Sequence, residues 1–253
     1  MSLLQAQDIT RRFGGFTAVD GVSLSLAPAE VLGIAGTNGA GKSTLFASLA
    51  GQQLPDSGQI RWLGQDISQA PPHQRARAGL VRTFQVPREF KSLSVLDNLL
   101  VAAPQVRAET LLGTFWTSSA ARQQERALVE KAEQVLEFLN LSRVRDTLAG
   151  GLSGGQKKLV ELGRVLMLEP RCILLDEPFA GVNPVLIDEI SERIRQLHAR
   201  GLAFIIIEHH LQALKALAGR LIVMDRGRIL AEGEPEAVLN DARVQEAYMG
   251  GVV

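Results

Sequence analysis

The sequence predicts an α/β fold, in which helices cover a parallel β-sheet and a helical segment is inserted into the middle of the chain. Apolar segments with strand character alternate with helical segments near both ends, and such alternation favours a parallel sheet. The middle, from about residue 94 to residue 169, has mainly helical spacing. A chain of 253 residues is also long enough to bury a sizeable core.

The first part of the chain contains predicted strands at residues 3–9, 22–26, 30–35 and 59–63, and a predicted helix at residues 42–51. The run from Val31 to Ala35 is almost continuously apolar, which is typical of a strand that is buried on both faces. Turn-forming residues, Asp56, Ser57 and Gly58, precede the fourth strand.

The middle and last parts contain further predicted elements. Apolar residues between Arg126 and Leu141 recur at helical spacing, and residues 157–168 form another helical run. The last part returns to strands at residues 172–175, 202–207, 220–225 and 228–231, with a helix at residues 184–199. Asp225, Arg226 and Gly227 separate the last two strands and predict a hairpin.

Composition excludes several classes of protein. The 27 basic and 27 acidic residues give a formal net charge of zero, so we expect no general attraction to nucleic acid. The single cysteine, Cys172, cannot form an internal disulfide, and we expect it in the core. The longest apolar run, residues 202–207, is too short to span a membrane, and the first residues lack the features of a secretory signal. We therefore expect a cytoplasmic location.

Basic residues are concentrated between residues 71 and 91, where a membrane-facing patch and a solvated surface are both conceivable. A solvated surface is the commoner case for such a run. The residues concerned are Arg75, Arg77, Arg82, Arg88 and Lys91.

The segment from Gly36 to Ser43 contains the complete phosphate-binding pattern G-x-x-x-x-G-K-[ST], after an apolar strand and before a helix. The backbone N–H groups of such a loop converge on phosphate oxygens, and the helix N-terminus favours an anion. Lys42 is expected to reach the β- and γ-phosphates, and the Ser43 hydroxyl to hold Mg²⁺. The predicted nucleotide-binding residues here are Gly36, Thr37, Asn38, Gly39, Ala40, Gly41, Lys42, Ser43 and Thr44.

Asp176 and Glu177 follow one another at the end of an apolar strand. Because side chains alternate in direction along a strand, adjacent carboxylates can serve two points of one site. Asp176 fits a place on the Mg²⁺ side, through a bound water, and Glu177 fits the general base that polarises an attacking water. A solvated acidic loop is the alternative, which the buried strand and the phosphate loop make less favourable.

A second glycine-rich helix start occurs at Ser153, followed by Gly154, Gly155 and Gln156. Serine is a preferred N-cap residue, and the glycines leave backbone N–H groups accessible to an anion. Because one nucleotide already has a phosphate loop, a second anion site suggests a second ligand or the completion of another subunit's site. A plain helix cap is the structural alternative.

In combination, these segments resemble the ATP-binding subunits of ABC transporters. The resemblance rests on Leu152–Gln156, some twenty residues before Asp176 and Glu177, with the phosphate loop upstream. It implies one ABC ATPase domain over residues 1–253, with a P-loop NTPase core of the RecA-like type, an N-terminal antiparallel β subdomain and an inserted α-helical subdomain. About 1–85 and 170–253 would form the nucleotide-binding core, and about 86–169 the helical subdomain.

Further roles come from the resemblance alone. Phe13 resembles the aromatic residue that stacks on adenine, and Gln85 resembles the glutamine that touches Mg²⁺ and relays to the membrane partner. His209 resembles the switch histidine that contacts the γ-phosphate, whereas His210 stands where many relatives have Asp and is expected on the surface. The implied catalytic residues are Lys42, Gln85, Glu177 and His209, and the implied metal-side residues are Ser43, Gln85 and Asp176.

The resemblance also implies ligands and partners. Two ATP molecules with Mg²⁺ would be sandwiched in a head-to-tail dimer, each between one subunit's phosphate loop and the other's Ser153–Gln156. The expected partners are permease subunits, a second ATP-binding subunit, identical or not, and indirectly a substrate-binding protein. The expected location is peripheral, at the cytoplasmic face of the cell membrane.

Softer features are similar to the branch of this family that takes up branched-chain and hydrophobic amino acids. They are the segments Gly79–Gln85 and Phe90–Leu99, the D-loop at Ala180–Pro184 and the ending Glu246–Gly250. Uptake of urea or short-chain amides, lipopolysaccharide export and a soluble ABC ATPase remain alternatives. The resemblance implies that the transported solute contacts the permease and the external binding protein. The insertion at residues 104–121 has no assigned role.

Overall fold

The computed structural model describes residues 2–83, 88–104 and 119–249, apart from the side chains of residues 119–121 and 249. The chain divides into two compact units. One unit runs to Gln85 and resumes at Pro170, and the other runs from Val86 to Glu169. Within the described ranges, no helix combines the length and the apolar composition that crossing a bilayer requires.

Among the described residues, every named strand belongs to the first unit. They are β1 (Leu4–Phe13), β2 (Phe16–Leu26), β3 (Val31–Gly36), β4 (Ser57–Trp62), β5 (Gln65–Asp66), β6 (Leu80–Arg82), β7 (Cys172–Asp176), β8 (Ala203–Ile207), β9 (Arg220–Asp225) and β10 (Arg228–Gly233). Its helices are α1 (Lys42–Leu49), α2 (Pro72–Arg77), α6 (Pro184–Ala199), α7 (Leu211–Leu217), α8 (Pro235–Leu239) and α9 (Ala242–Met249). The second unit contains α3 (Val95–Ala102), α4 (Ser119–Phe138) and α5 (Gly154–Leu166).

The main sheet has the strand order β10-β9-β3-β8-β7-β6. Its pairs are parallel except for the β9–β10 hairpin. Every residue of β3, β7 and β8 is buried, as is typical of parallel strands that are covered on both faces. The predicted α/β fold with a parallel sheet is therefore confirmed, and the carboxyl ends of β3, β7 and β8 lie at one edge of the sheet.

A second sheet near the N-terminus is antiparallel, with the strand order β2-β1-β4-β5. Its first two strands pair up to Phe13 and Phe16 and are joined by Gly14 and Gly15. The sequence prediction ended the first strand at residue 9 and began the second at residue 22. Both predicted strands were too short. The end of the hairpin, residues 11–17, is mostly exposed and lacks an alternating apolar pattern, although the backbone pairing continues to Phe13 and Phe16.

Arg75 corrects the interpretation of residues 71–91 as a solvated basic surface, since its side chain is only 1% exposed. Its guanidinium donates to the carbonyl oxygens of Ser48 and Leu49 at 2.8 and 2.7 Å, at the end of α1. It also donates to Ala70 and Ser68. A cation beside the last carbonyls of a helix is favourable. Arg75 therefore caps the C-terminal end of α1, the helix that follows the phosphate loop.

Candidate nucleotide-binding site

The phosphate loop connects β3 to α1 and requires glycine at two positions. Gly36 and Gly41 have φ angles of 147° and 95°, which residues with a side chain rarely adopt. A Cβ atom at Gly36 would lie 2.3 Å from the Met224 carbonyl oxygen, and one at Gly41 would lie 2.1 Å from that of Ala18. The loop backbone is therefore held close to β9 and β2, with Gly41 as the N-cap of α1.

Lys42 is the first residue of α1, and its side chain folds back over the loop. The residue is 6% exposed, and its Nζ donates to the carbonyl oxygens of Gly36 and Thr37 at 2.8 and 2.9 Å. Burial lowers the pKa of Lys42, while the carboxylates of Glu177 and Asp176 act against that shift. A buried ammonium inside a glycine-rich loop fits the binding of a phosphate group.

Asp176 ends β7 and is paired with a residue that the sequence analysis did not assign to the site. Its Oδ2 lies 2.6 Å from Nη2 of Arg82, and the two side chains are 6% and 11% exposed, respectively. The backbone N–H of Asp176 also donates to the Thr83 hydroxyl at 3.3 Å. Arg82 balances the charge of the carboxylate that we expect on the Mg²⁺ side.

Glu177 and His209 meet across the ends of β7 and β8. His209 Nε2 lies 2.8 Å from Glu177 Oε1, which is within hydrogen-bond distance. His210 has a different place, since its Nδ1 accepts from the N–H of Ala213 at 3.2 Å and caps α7. Of the two adjacent histidines, His209 therefore contacts the candidate general base.

A cavity of about 250 Å³ lies over the phosphate loop. It is lined by residues 38–44 of the loop and by Glu177, His209, Ala18 and Phe16. Phe16 is 62% exposed. The sequence analysis did not assign it, because a phenylalanine stands on each side of the Gly14–Gly15 turn and the family resemblance pointed to Phe13. Phe13 is 45% exposed, and the guanidinium carbon of Arg11 lies 5.0 Å from the centre of its ring.

Ser153 begins α5 in the second unit, with a capping box. Its hydroxyl accepts from the Gln156 N–H at 3.3 Å, and its own N–H donates to Gln156 Oε1 at 3.0 Å. This geometry satisfies two backbone donors of the first turn. It leaves Gly154 with open space where a side chain would be.

Two sequence predictions lie outside the described residues. One is Gln85, and the other is the central part of the insertion, residues 105–118. The remaining predicted residues fall in the two units described above, with the phosphate loop, Asp176, Glu177 and His209 in the first and Ser153–Gln156 in the second.

Comparison with known proteins decides the family. A family model described as ABC transporter matches residues 19–180. The chain belongs to the ABC transporter family. A second model, described as branched-chain amino acid ATP-binding cassette transporter, matches residues 228–253 of this ABC cassette. The predicted family and the predicted ATPase class are confirmed.

Three similar proteins cover the ABC cassette almost from end to end. A probable branched-chain amino acid transport ATP-binding protein LivG from Methanocaldococcus jannaschii is 42% identical over 99% of this chain and 98% of its own length. The lipopolysaccharide export system ATP-binding protein LptB of Acidithiobacillus ferridurans is 38% identical over 98% and 97%. A crystal structure of the ADP conformation of an ATP-binding cassette of an ABC transporter has a TM-score of 0.86 at 41% identity, covering 99% of both chains.

Proposed function

We propose that this ABC cassette is the ATP-hydrolysing subunit of an importer for branched-chain amino acids. It works at the cytoplasmic face of the membrane through separate permease subunits. The observation that carries this proposal is the match of residues 228–253 to the branched-chain amino acid cassette model. Identity over the whole chain separates the candidates poorly, because the LivG and LptB relatives are 42% and 38% identical.

Binding of the nucleotide is assigned to the phosphate loop and the residues beside it. The loop N–H groups of residues 36–44 and the Lys42 ammonium hold the β- and γ-phosphates, and Phe13 stacks on adenine. Ser43, Gln85 and, through a water, Asp176 are the residues that would hold Mg²⁺, which neutralises developing phosphate charge when bound. The oxygen-rich chemistry of Ser43 and Asp176 fits a hard divalent cation.

Hydrolysis is assigned to Glu177 and His209. Glu177 polarises the attacking water as the general base. His209, at 2.8 Å from its carboxylate, orients that group and contacts the γ-phosphate. The end of β7 supports this role, because Asp176 is buried there and the next residue, Glu177, lines the cavity over the phosphate loop.

A dimer completes the proposed site. Ser153, Gly154, Gly155 and Gln156 present the start of α5 to the ATP that is bound by a second ATP-binding subunit. The dimer closes when ATP binds and opens after hydrolysis, and this motion drives the permease. A substrate-binding protein delivers the solute to the permease. Lipopolysaccharide export is the second candidate, which the LptB relative supports.

In the test, the native gene is replaced by one that encodes the Glu177→Gln variant. ATP hydrolysis by the transporter and uptake of radiolabelled leucine by the cells are then measured. Hydrolysis should fall by about 10²- to 10⁴-fold, because the general base is lost. Leucine uptake should fall with it, while nucleotide binding stays. Glu137→Gln, on the exposed face of α4, is the control and should leave both unchanged.

Two results would contradict the proposal. If the Glu177→Gln variant still hydrolysed ATP, Glu177 would not be the general base. Loss of hydrolysis with undiminished leucine uptake would remove the assigned solute, and a defect in surface lipopolysaccharide in the same strain would then favour the export function.

A further inference from the structure

Glu208 lies between β8 and α7, directly before His209, and its carboxylate is buried. The residue is only 3% exposed. Its Oε1 accepts from the backbone N–H of Phe179 at 2.7 Å. Its Oε2 accepts from the backbone N–H groups of His209 and His210 at 2.9 and 3.2 Å. Each carboxylate oxygen therefore serves a different loop.

These two loops carry the two side chains that meet at the site. Phe179 follows Glu177 by two residues, and Glu208 directly precedes His209. Glu177 has a φ angle of 49°, a conformation that costs free energy in a residue with a side chain and persists only when its surroundings hold it. The backbone N–H of Glu177 donates to the carbonyl oxygen of Ile207 at 3.0 Å, which is one link between the two loops. The carboxylate of Glu208 adds a second link.

The environment of Glu208 suits a structural role. Its carboxylate is buried and its oxygens accept from three backbone N–H groups, which places it against the backbone of the two loops. Hydrogen bonds to an ionised acceptor are roughly twice as strong as neutral ones, so this arrangement is suited to fixing backbone positions. Without it, the loops after β7 and β8 would keep the Glu177–Ile207 hydrogen bond at their start but lose the link at Phe179.

We propose that Glu208 is a positioning residue, which fixes the distance between Glu177 and His209 by tying together the backbones of their loops. This inference rests on the proposed function, since it assumes that Glu177 and His209 act on ATP. It also extends that function, because Glu208 makes the two loops move as one.

The test variant is Glu208→Gln, in the full-length chain and in the assembled transporter. The amide keeps one acceptor oxygen and places an NH₂ group against backbone donors, so the side chain no longer holds both loops at once and the tie that restrains each of them is lost. We expect kcat for ATP hydrolysis to fall about 10- to 100-fold, since small displacements of reacting groups have effects of that size. We expect KM for ATP to change less than about threefold, because the phosphate loop and Lys42 are not contacted.

Hydrogen exchange provides a readout that does not depend on catalysis. The amides of Phe179, His209 and His210 should exchange faster in Glu208→Gln than in the wild type, and they should do so together. Glu30→Gln is a matched control, because Glu30 belongs to the same unit, accepts from the N–H of Ala27 and pairs with Arg220. It should lower stability without changing kcat or the exchange at those three amides.

The outcomes separate this inference from the proposed function. Faster exchange at both loops together with a lower kcat supports the positioning role. Unchanged exchange, or faster exchange at one loop only, would overturn it, as would a kcat equal to that of Glu30→Gln. A wild-type chain that hydrolyses no ATP would instead count against the proposed function, and the exchange experiment would still decide whether Glu208 ties the loops.

Discussion

Two aromatic side chains, Phe13 and Phe16, are opposite one another at the end of the β1–β2 hairpin. Phe16 lines the cavity over the phosphate loop. Phe13 has the Arg11 guanidinium near its ring, at 5.0 Å from the centre. A cation on one face of a ring leaves the other face for a base, which is compatible with the proposed stacking of adenine on Phe13.

Phe13 is the proposed platform for the adenine base. Phe13→Ala should weaken ATP binding by about 2- to 13-fold, because aromatic stacking contributes roughly 0.5–1.5 kcal/mol. Phe13→Tyr should preserve binding, since the ring remains. Titration with a fluorescent ATP analogue measures both. If Phe16→Ala weakened binding while Phe13→Ala did not, the platform would be Phe16.

Among single residues, those defined by spacing could be predicted and those defined by tertiary contacts could not. Lys42, Ser43 and the adjacent pair Asp176–Glu177 have a fixed place relative to a strand end, which a sequence shows. Arg82 and Glu208 acquire their partners only when separate strands come together. No local pattern marks a glutamate that accepts from a loop 29 residues away.

The start of α5 has two candidate tasks. Ser153 and Gln156 form a capping box, which alone would explain the serine. The proposed function adds the phosphates of a second subunit's ATP. The two tasks respond differently to a negative charge, because an aspartate caps a helix well and repels phosphate.

Ser153→Asp separates these tasks. The capping contribution to stability should be kept, so Tm should stay close to that of the wild type, while ATP hydrolysis by the assembled transporter should fall by at least tenfold. Ser153→Ala should instead destabilise the chain by about 0.5–2 kcal/mol. Thermal melts and ATPase assays on both variants provide the comparison. Normal hydrolysis in Ser153→Asp would leave this serine with the capping role alone.

Predicted elements were most accurate where the burial pattern and the end signals agree. The helix predicted at 184–199 matches α6, which has Asn183 as its N-cap and Pro184 at its first position. The strand predicted at 220–225 matches β9, whose four central residues are buried. Short elements such as β5 and β6 were missed, since two or three residues are too few to show a period.

Family membership and net charge lead to different expectations about how the chain attaches to a membrane. Net charge is zero, so the chain has no general electrostatic attraction to anionic lipid. Family membership, by contrast, implies a transporter complex. Attachment should therefore depend on protein partners and not on lipid composition.

A tagged full-length chain in its native host can test that dependence. A pull-down in mild detergent should recover permease subunits and a second ATP-binding subunit, identified by mass spectrometry. In a strain that lacks those permease subunits, the chain should leave the membrane fraction. Purified chain should also fail to sediment with protein-free anionic vesicles, because no net charge draws it there.

Lys42→Ala is the control, since it should lose hydrolysis and still be recovered with the permease. Sedimentation with bare vesicles, or recovery without any membrane protein, would contradict attachment through a permease, and a soluble ABC ATPase would then be the better description.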